Sequence, residues 1–157
     1  MGKYHEEKIE IMKTYLGEIV ASDTMKYHIK GSIPSKKINN AIKIFASGID
    51  RDSIIGFYDT TVFESGKNGY IFTDDKVYFM NLFEKPQKFW YDDIESMRII
   101  DSHKKDCDRK LIVKLYDGTE ISIDSTFVNK TPLKAFLEIM KNYDATKKAT
   151  EITIEKK

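Results

Sequence analysis

The residue types best suited to catalysis or metal binding occur together in one short polar segment. His103 and Cys107 are four residues apart, and aspartates flank them on both sides. Imidazole, thiolate and carboxylate groups are common zinc ligands, and a thiol beside a base can act as a nucleophile. The segment shows no helix or strand pattern that would fix such a geometry, and nothing marks a base for the thiol. We therefore interpret it as a solvated charged loop and predict neither a metal site nor a catalytic cysteine.

Paired carboxylates are the second candidates for chemistry. Asp74-Asp75 and Asp92-Asp93 each place two acids side by side, but acid–base catalysis needs two carboxyls whose environments separate their pKa values. Adjacent aspartates are typical of turns, because their side chains accept hydrogen bonds from nearby backbone. Residues 65–69 lack the spacing of a phosphate-binding loop. The sequence therefore predicts a protein without enzymatic activity and without a cofactor.

The composition of the chain argues against several other classes of protein. The chain has 157 residues, of which 41% are hydrophobic, and its 26 basic and 25 acidic residues leave a net charge of +1. This charge provides no field that would hold a polyanionic nucleic acid. No apolar run is long enough to span a membrane, and the first residues alternate charged with hydrophobic side chains instead of forming a secretory signal. We therefore predict a soluble, cytoplasmic protein that binds no nucleic acid.

Two amphipathic helices are predicted in the first third of the chain. Apolar residues recur at helical spacing over residues 6–20, with acids in the first turns, where the helix dipole favours them. A second apolar stripe follows Pro34 and ends at Gly48. Residues 21–33 carry no distinct pattern and are predicted to form a loop. We assign residues 1–48 to an N-terminal helical segment.

From Ser53 onward the apolar period changes to two, and turn signals separate the runs. This pattern predicts seven antiparallel strands, at about residues 53–60, 69–73, 76–82, 87–91, 94–100, 109–116 and 119–125. Asp117-Gly118 is typical of the tight turn of a β-hairpin. The chain is therefore predicted to be of α+β class.

The last part of the chain is predicted to hold a capping helix and a tail. A Thr-Pro pair at 131–132 begins the helix, and its apolar stripe would cover the sheet. We assign residues 49–143 to a β domain with this capping helix, and residues 144–157 to a polar tail. Ile152 and Ile154 alternate with polar residues in the tail, which is typical of a strand that adds to a partner's sheet; a frayed terminus or an extra strand on the chain's own sheet is favoured over that role.

Two stretches carry a resemblance to a known family: residues 54–63 (IIGFYDTTVF) and 65–79 (SGKNGYIFTDDKVYF). In bacterial pleckstrin-homology-like (PH-like) domains such stretches form the first hairpins, and a Thr-Asp turn joins the second strand to the third. The chain resembles this family over about residues 50–143. The resemblance implies a seven-stranded antiparallel barrel or sandwich capped by a C-terminal helix. It also implies a domain that binds peptides, proteins or lipids and does no chemistry.

The function predicted from these features is binding to another protein. One concrete form is a bacterial immunity protein, which would neutralise a basic toxin domain through an acidic surface. The residues proposed for partner binding are Asp92, Asp93, Glu95, Asp101, Asp106 and Asp108, together with Ile152 and Ile154 of the tail. The alternative is a peripheral membrane protein that binds phospholipid headgroups. Headgroup-binding PH domains carry a basic first hairpin loop, in which this chain offers Lys67 alone.

Overall fold

A computed structural model describes residues 4–21, 26–61 and 63–155 of the chain. The described residues form an α+β fold with three helices and eight strands, which confirms the predicted class. The helices are α1 (His5–Ile19), α2 (Ser35–Ile44) and α3 (Lys130–Glu155). The strands are β1 (Lys26–Ile29), β2 (Ile54–Asp59), β3 (Gly69–Thr73), β4 (Lys76–Met80), β5 (Gln87–Trp90), β6 (Ile94–Ile100), β7 (Lys110–Leu115) and β8 (Glu120–Ile123). Within these ranges, none of the helices combines the length and the hydrophobicity that a membrane span requires.

The strands form two antiparallel sheets rather than one closed barrel. The first sheet has the order β1-β2-β3-β4-β5, and the second has the order β6-β7-β8. All seven predicted strands are present, each within two residues of its expected ends. The predicted loop over residues 21–33 is wrong in part, because it contains β1, which pairs with β2 from Lys26↔Asp59 to Ile29↔Gly56. Four residues are too few for a periodic signal, and the strand forms because the edge of β2 is there to pair with.

One hydrophobic core joins α1 and α3 to both sheets. Met12 and Leu16 of α1 and Phe136 of α3 are fully buried in the same cluster as the inner faces of the sheets. Helix α1 approaches β2 so closely that a Cβ added to Gly56 would lie 2.8 Å from the side chain of Met12. Residues from both sides of Gly48 thus contribute to the same core.

Helix α2 covers the opposite face of the first sheet. Ala41 and Phe45 pack there against Phe57, Ile71 and Tyr78. Because the sheet is covered on both faces, every residue of β2 and β3 is buried, as expected of a strand with no solvent face. The two N-terminal helices therefore belong to opposite sides of one sheet.

The prediction of a strand in the tail is wrong. Helix α3 continues to Glu155, so residues 144–155 are helical, and Ile152 and Ile154 lie on the helix instead of alternating along a strand. Their side chains, and residues 156–157, lie outside the described part of the chain. The physical reason is propagation, since adding a residue to an existing helix costs far less than nucleating one. Contacts between Lys147 and Glu7, 3.0 Å apart, hold this part of α3 against α1.

Candidate binding surface

The segment with His103 and Cys107 forms part of the scaffold. Its chain folds around Arg109, whose guanidinium donates to the carbonyl oxygens of Lys104 (3.0 Å) and Ser102 (2.8 Å). The carbonyl of Cys107 accepts from the buried ammonium of Lys130 at 2.5 Å, while the thiol has only a long contact to its neighbouring aspartate. Within the described ranges, no group of three or more His, Cys, Asp or Glu side chains could hold a metal ion.

The six predicted partner-binding acids are split between the two ends of β6. Three lie where β6 begins and three lie in the turns that follow its last residue. Six residue steps of about 3.3 Å separate these ends by roughly 20 Å. The first group is Asp92, Asp93 and Glu95, and the second is Asp101, Asp106 and Asp108. The fold therefore does not gather them into one acidic patch.

Several of these acids are engaged by basic groups of the chain itself. Glu95 Oε2 is 3.7 Å from Lys114 Nζ, and Asp101 Oδ2 is 4.0 Å from Lys104 Nζ. Asp92 is exposed, but partial desolvation, reinforced by the carboxylate of Asp144, raises its pKa above the ordinary value. These contacts reduce the negative field that the group could present to a basic partner.

Asp106 has a structural role at the start of α3. Its carboxylate accepts from the backbone N–H of Thr131, at 2.9 and 3.1 Å, and from the Thr131 hydroxyl at 2.6 Å. Arg109 Nη1 lies 3.4 Å from the same carboxylate. A carboxylate at this position satisfies an N–H group that the helix leaves without a partner. Asp106 is therefore a tertiary helix cap.

A different surface stands out by its exposed apolar side chains. Phe63 is 92% exposed, Phe83 is 96% exposed and Leu82 is 65% exposed. We call these three residues the apolar tip. Together they expose on the order of 400 Å² of apolar surface, and large apolar side chains exposed in this way are often found at binding sites.

The apolar tip lies at one end of the first sheet. Phe63 belongs to the loop between β2 and β3, and Leu82 and Phe83 belong to the loop between β4 and β5. In an antiparallel sheet these two loops emerge at the same end. A groove of about 220 Å³ joins them and the segment before α3; it is lined by Thr60, Asn81, Leu82, Glu84, Asp124, Ser125, Thr126 and Phe127.

Internal hydrogen bonds hold the loop that carries Phe63. Asp59 Oδ1 accepts from the N–H of Thr61 at 2.9 Å and from its hydroxyl at 2.5 Å. The Thr61 hydroxyl oxygen in turn accepts from the N–H of Ser65 at 2.8 Å. Asn40 of α2 donates to the Ser65 carbonyl at 2.7 Å. The loop is therefore tied both to the end of β2 and to α2.

The loop that carries Leu82 and Phe83 is held by separate contacts. Tyr70 donates to Asn81 Oδ1 at 3.2 Å, and the Asn81 amide donates to Glu84 Oε2 at 2.9 Å. Phe83 adopts φ of 65°, a left-handed conformation that is uncommon for a bulky residue. The turn thus presents an aromatic ring to solvent at a cost in backbone energy.

The charges around the apolar tip nearly cancel. Glu64 and Lys67 lie in the first loop, Glu84 and Lys85 lie in the second, and Asp124 lines the groove that joins them; all five are exposed. Three acids against two bases give this surface a charge of about −1, too small to draw it to a strongly charged partner.

The sequence patterns did not identify the tip as a site. Phe63 and Leu82 are the last residues of stretches predicted to form hairpin strands, so their types indicate strand residues rather than exposed loop residues. The available signal is their position beside turn residues, Ser65-Gly66 for one loop and Pro86 for the other. Apolar residues next to such breakers are placed on loops, where burial is not guaranteed.

The chain was compared with known proteins at three levels. No family model, no curated protein and no solved structure matched it.

Proposed function

We propose that this chain is a non-enzymatic module that binds another protein, and that the apolar tip is its contact surface. The observation that carries the proposal is the exposure of two phenylalanine rings, Phe63 and Phe83, at more than nine-tenths each on adjacent loops. Large aromatic side chains at the centre of an interface commonly contribute most of its binding energy. Their exposure in the free chain is unfavourable, and a partner would relieve it.

The loops of the tip favour binding because they are held in place before any partner arrives. Hydrogen bonds to Asp59 and Asn40 order the first loop, and Asn81 orders the second. A preordered loop loses little conformational entropy when it binds, so more of its contact energy appears as affinity.

We also propose that residues about 50–143 form a PH-like domain. This proposal is supported by the order of the elements, since the seven strands β2 to β8 are antiparallel and are followed by helix α3. Strands β2 to β5 belong to the first sheet and β6 to β8 form the second. A toxin-neutralising immunity protein is one form of such a binding module. The predicted acids lie in two groups, and three of them are paired with basic residues of the chain itself. They therefore support an immunity protein less strongly than the apolar tip supports protein binding in general.

Binding to a membrane surface is the second candidate, because exposed aromatic loops can insert between lipid headgroups. The acids around the tip and its groove outnumber the bases, which weighs against membrane binding, since stable attachment of a peripheral protein to an anionic leaflet usually needs a basic patch as well.

The test uses a tagged chain as bait in extract from its host, with two matched variants. Phe63→Ser/Phe83→Ser removes both rings of the tip. Tyr116→Ser is the control, because Tyr116 is also a largely exposed aromatic residue. It lies in the turn after β7 of the second sheet, and its N–H donates to the carbonyl of Asp93, which follows β5 at the end of the first sheet away from the tip. All three proteins are also sedimented with vesicles of phosphatidylcholine, with and without roughly one-fifth phosphatidylserine.

The proposal predicts a stoichiometric protein partner that the unmodified chain and Tyr116→Ser retain. The double variant should bind the purified partner at least about 30-fold more weakly, as expected for the loss of a hot-spot residue. Sedimentation with vesicles that the double variant abolishes, without any protein partner, would replace the proposal by the membrane alternative. A partner that binds both variants equally would show that the tip is not the contact surface.

A further inference from the structure

We propose that the ion pair between Lys37 and Asp59 is a latch that positions Phe63 by locking the β2–β3 loop onto α2. The latch itself is inferred from contacts within the chain. Only its role in presenting Phe63 to a partner rests on the proposed function. Lys37 and Asp59 are positioning residues, because neither belongs to the exposed tip.

The pair is buried and joins two elements far apart in the sequence. Lys37 Nζ lies 3.0 Å from Asp59 Oδ2, with side-chain exposures of 8% and 0%. Lys37 Nζ also lies 3.2 Å from His28 Nε2 of β1. A buried charge that loses its partner is strongly unfavourable. The pair therefore holds α2, β1 and the end of β2 in a single arrangement.

The second oxygen of Asp59 extends the latch into the loop. While Oδ2 faces Lys37, Oδ1 accepts both hydrogen bonds from Thr61, and the Thr61 hydroxyl oxygen accepts from Ser65. Phe63 lies between Thr61 and Ser65 in the sequence, so both of its flanks are bound to this one carboxylate network. A neutral side chain at position 59 would weaken both contacts together.

The loop also packs directly on the backbone of α2 at Lys37. Gly66 has φ of 72°, and a Cβ at this position would lie 2.6 Å from the Lys37 carbonyl oxygen. The amide of Asn40, one turn further along α2, donates to the Ser65 carbonyl. Displacing Lys37 would thus disturb the surface against which the loop is packed.

The other loop of the tip provides an internal reference. The contacts recorded for the loop of Phe83 run through Tyr70, Asn81 and Glu84, and none of these side chains bonds to Lys37 or Asp59. A change in the latch should therefore affect Phe63 and leave Phe83 unaffected.

The test is limited proteolysis with chymotrypsin, which cleaves after aromatic residues, under conditions where the chain stays folded. The quantity measured by mass spectrometry is the ratio of cleavage after Phe63 to cleavage after Phe83. An ordered loop must open locally before a protease can cut it. The variants are Asp59→Asn and Lys37→Met, and Thr61→Val is a milder variant should these two fail to fold. The control is Val113→Ala, which lowers stability through a core position in β7.

We expect Asp59→Asn and Lys37→Met to raise the ratio about tenfold or more, as for the loss of a buried ion pair or of hydrogen bonds to a charged carboxylate. Thr61→Val should raise it less, and Val113→Ala should leave it unchanged, since global destabilisation affects both loops alike. An unchanged ratio in the folded latch variants would overturn the inference, as would a rise equal to that in Val113→Ala. Because no partner is present, failure of the capture experiment leaves this result untouched, and the reverse also holds.

Discussion

Replacing Asp106 tests whether this residue caps a helix or serves a partner. In the structure its carboxylate accepts from the N–H and the hydroxyl of Thr131, and its side chain is 25% exposed. A helix N-cap contributes about 1 kcal/mol, and a hydrogen bond from a hydroxyl to a charged acceptor contributes about 1.5 kcal/mol when partly exposed. Asp106→Ala is therefore expected to lower the free energy of unfolding by about 2–3 kcal/mol.

The assay is urea unfolding followed by circular dichroism, together with a thermal scan. For a chain of this size the loss corresponds to a fall in Tm of about 5–10 °C. Asp106→Asn keeps one acceptor oxygen and should lose about 1 kcal/mol, and Thr131→Val should lose a similar amount. Because the two side chains share one interaction, the double variant Asp106→Ala/Thr131→Val should be hardly less stable than Asp106→Ala alone. A change below about 0.5 kcal/mol for Asp106→Ala would refute the capping role.

Three further predictions concern other contacts within the fold. Asp92 is exposed, but partial desolvation, reinforced by the carboxylate of Asp144, raises its pKa in the folded chain, so stability is lost as the pH rises through that pKa. In urea unfolding at pH 7, Asp92→Asn should be more stable than the unmodified chain by less than ~1 kcal/mol, with no difference near about pH 3. Lys130 donates to the carbonyls of Cys107, Ser125 and Val128, so Lys130→Met should cost about 3 kcal/mol in urea unfolding, and a loss below about 1 kcal/mol would contradict this role. Gly56→Ala should cost about 1–3 kcal/mol by crowding Met12, and additivity with Met12→Ala in a double-mutant cycle would exclude that clash.

Much of the fold could be predicted because its signals are local. The seven strands from β2 to β8 and the starts of all three helices follow from apolar periodicity and from breakers such as Pro34 and Gly118. Such patterns depend on neighbours within one turn or one hairpin. The strand β1 was missed because its partner, β2, is about thirty residues away in the sequence. Its four residues carry no alternating pattern of their own that would predict this pairing.

The candidate surface was harder to predict because exposure is a property of the assembled fold. Acids such as Asp106 look available in a sequence, yet its carboxylate is taken up by Thr131, 25 residues further along the chain. Conversely, Phe63 and Phe83 look like core residues by type, and most aromatic residues of this chain are buried. The sequence pattern alone does not predict which aromatic side chains remain exposed to solvent once the two sheets have packed.

The sequence by itself determined the α+β class, the positions of β2 to β8 along the chain and a net charge close to zero. It did so because periodicity, turn chemistry and net charge are sums over local residues. Only the tertiary structure decided that α3 continues through the tail, that α2 is joined to β2 through Lys37 and Asp59, and that Phe63, Leu82 and Phe83 are exposed on two loops at one end of the first sheet. These features depend on which distant segments touch, because burial and ion pairing are energies of contacts that exist only after the chain has folded.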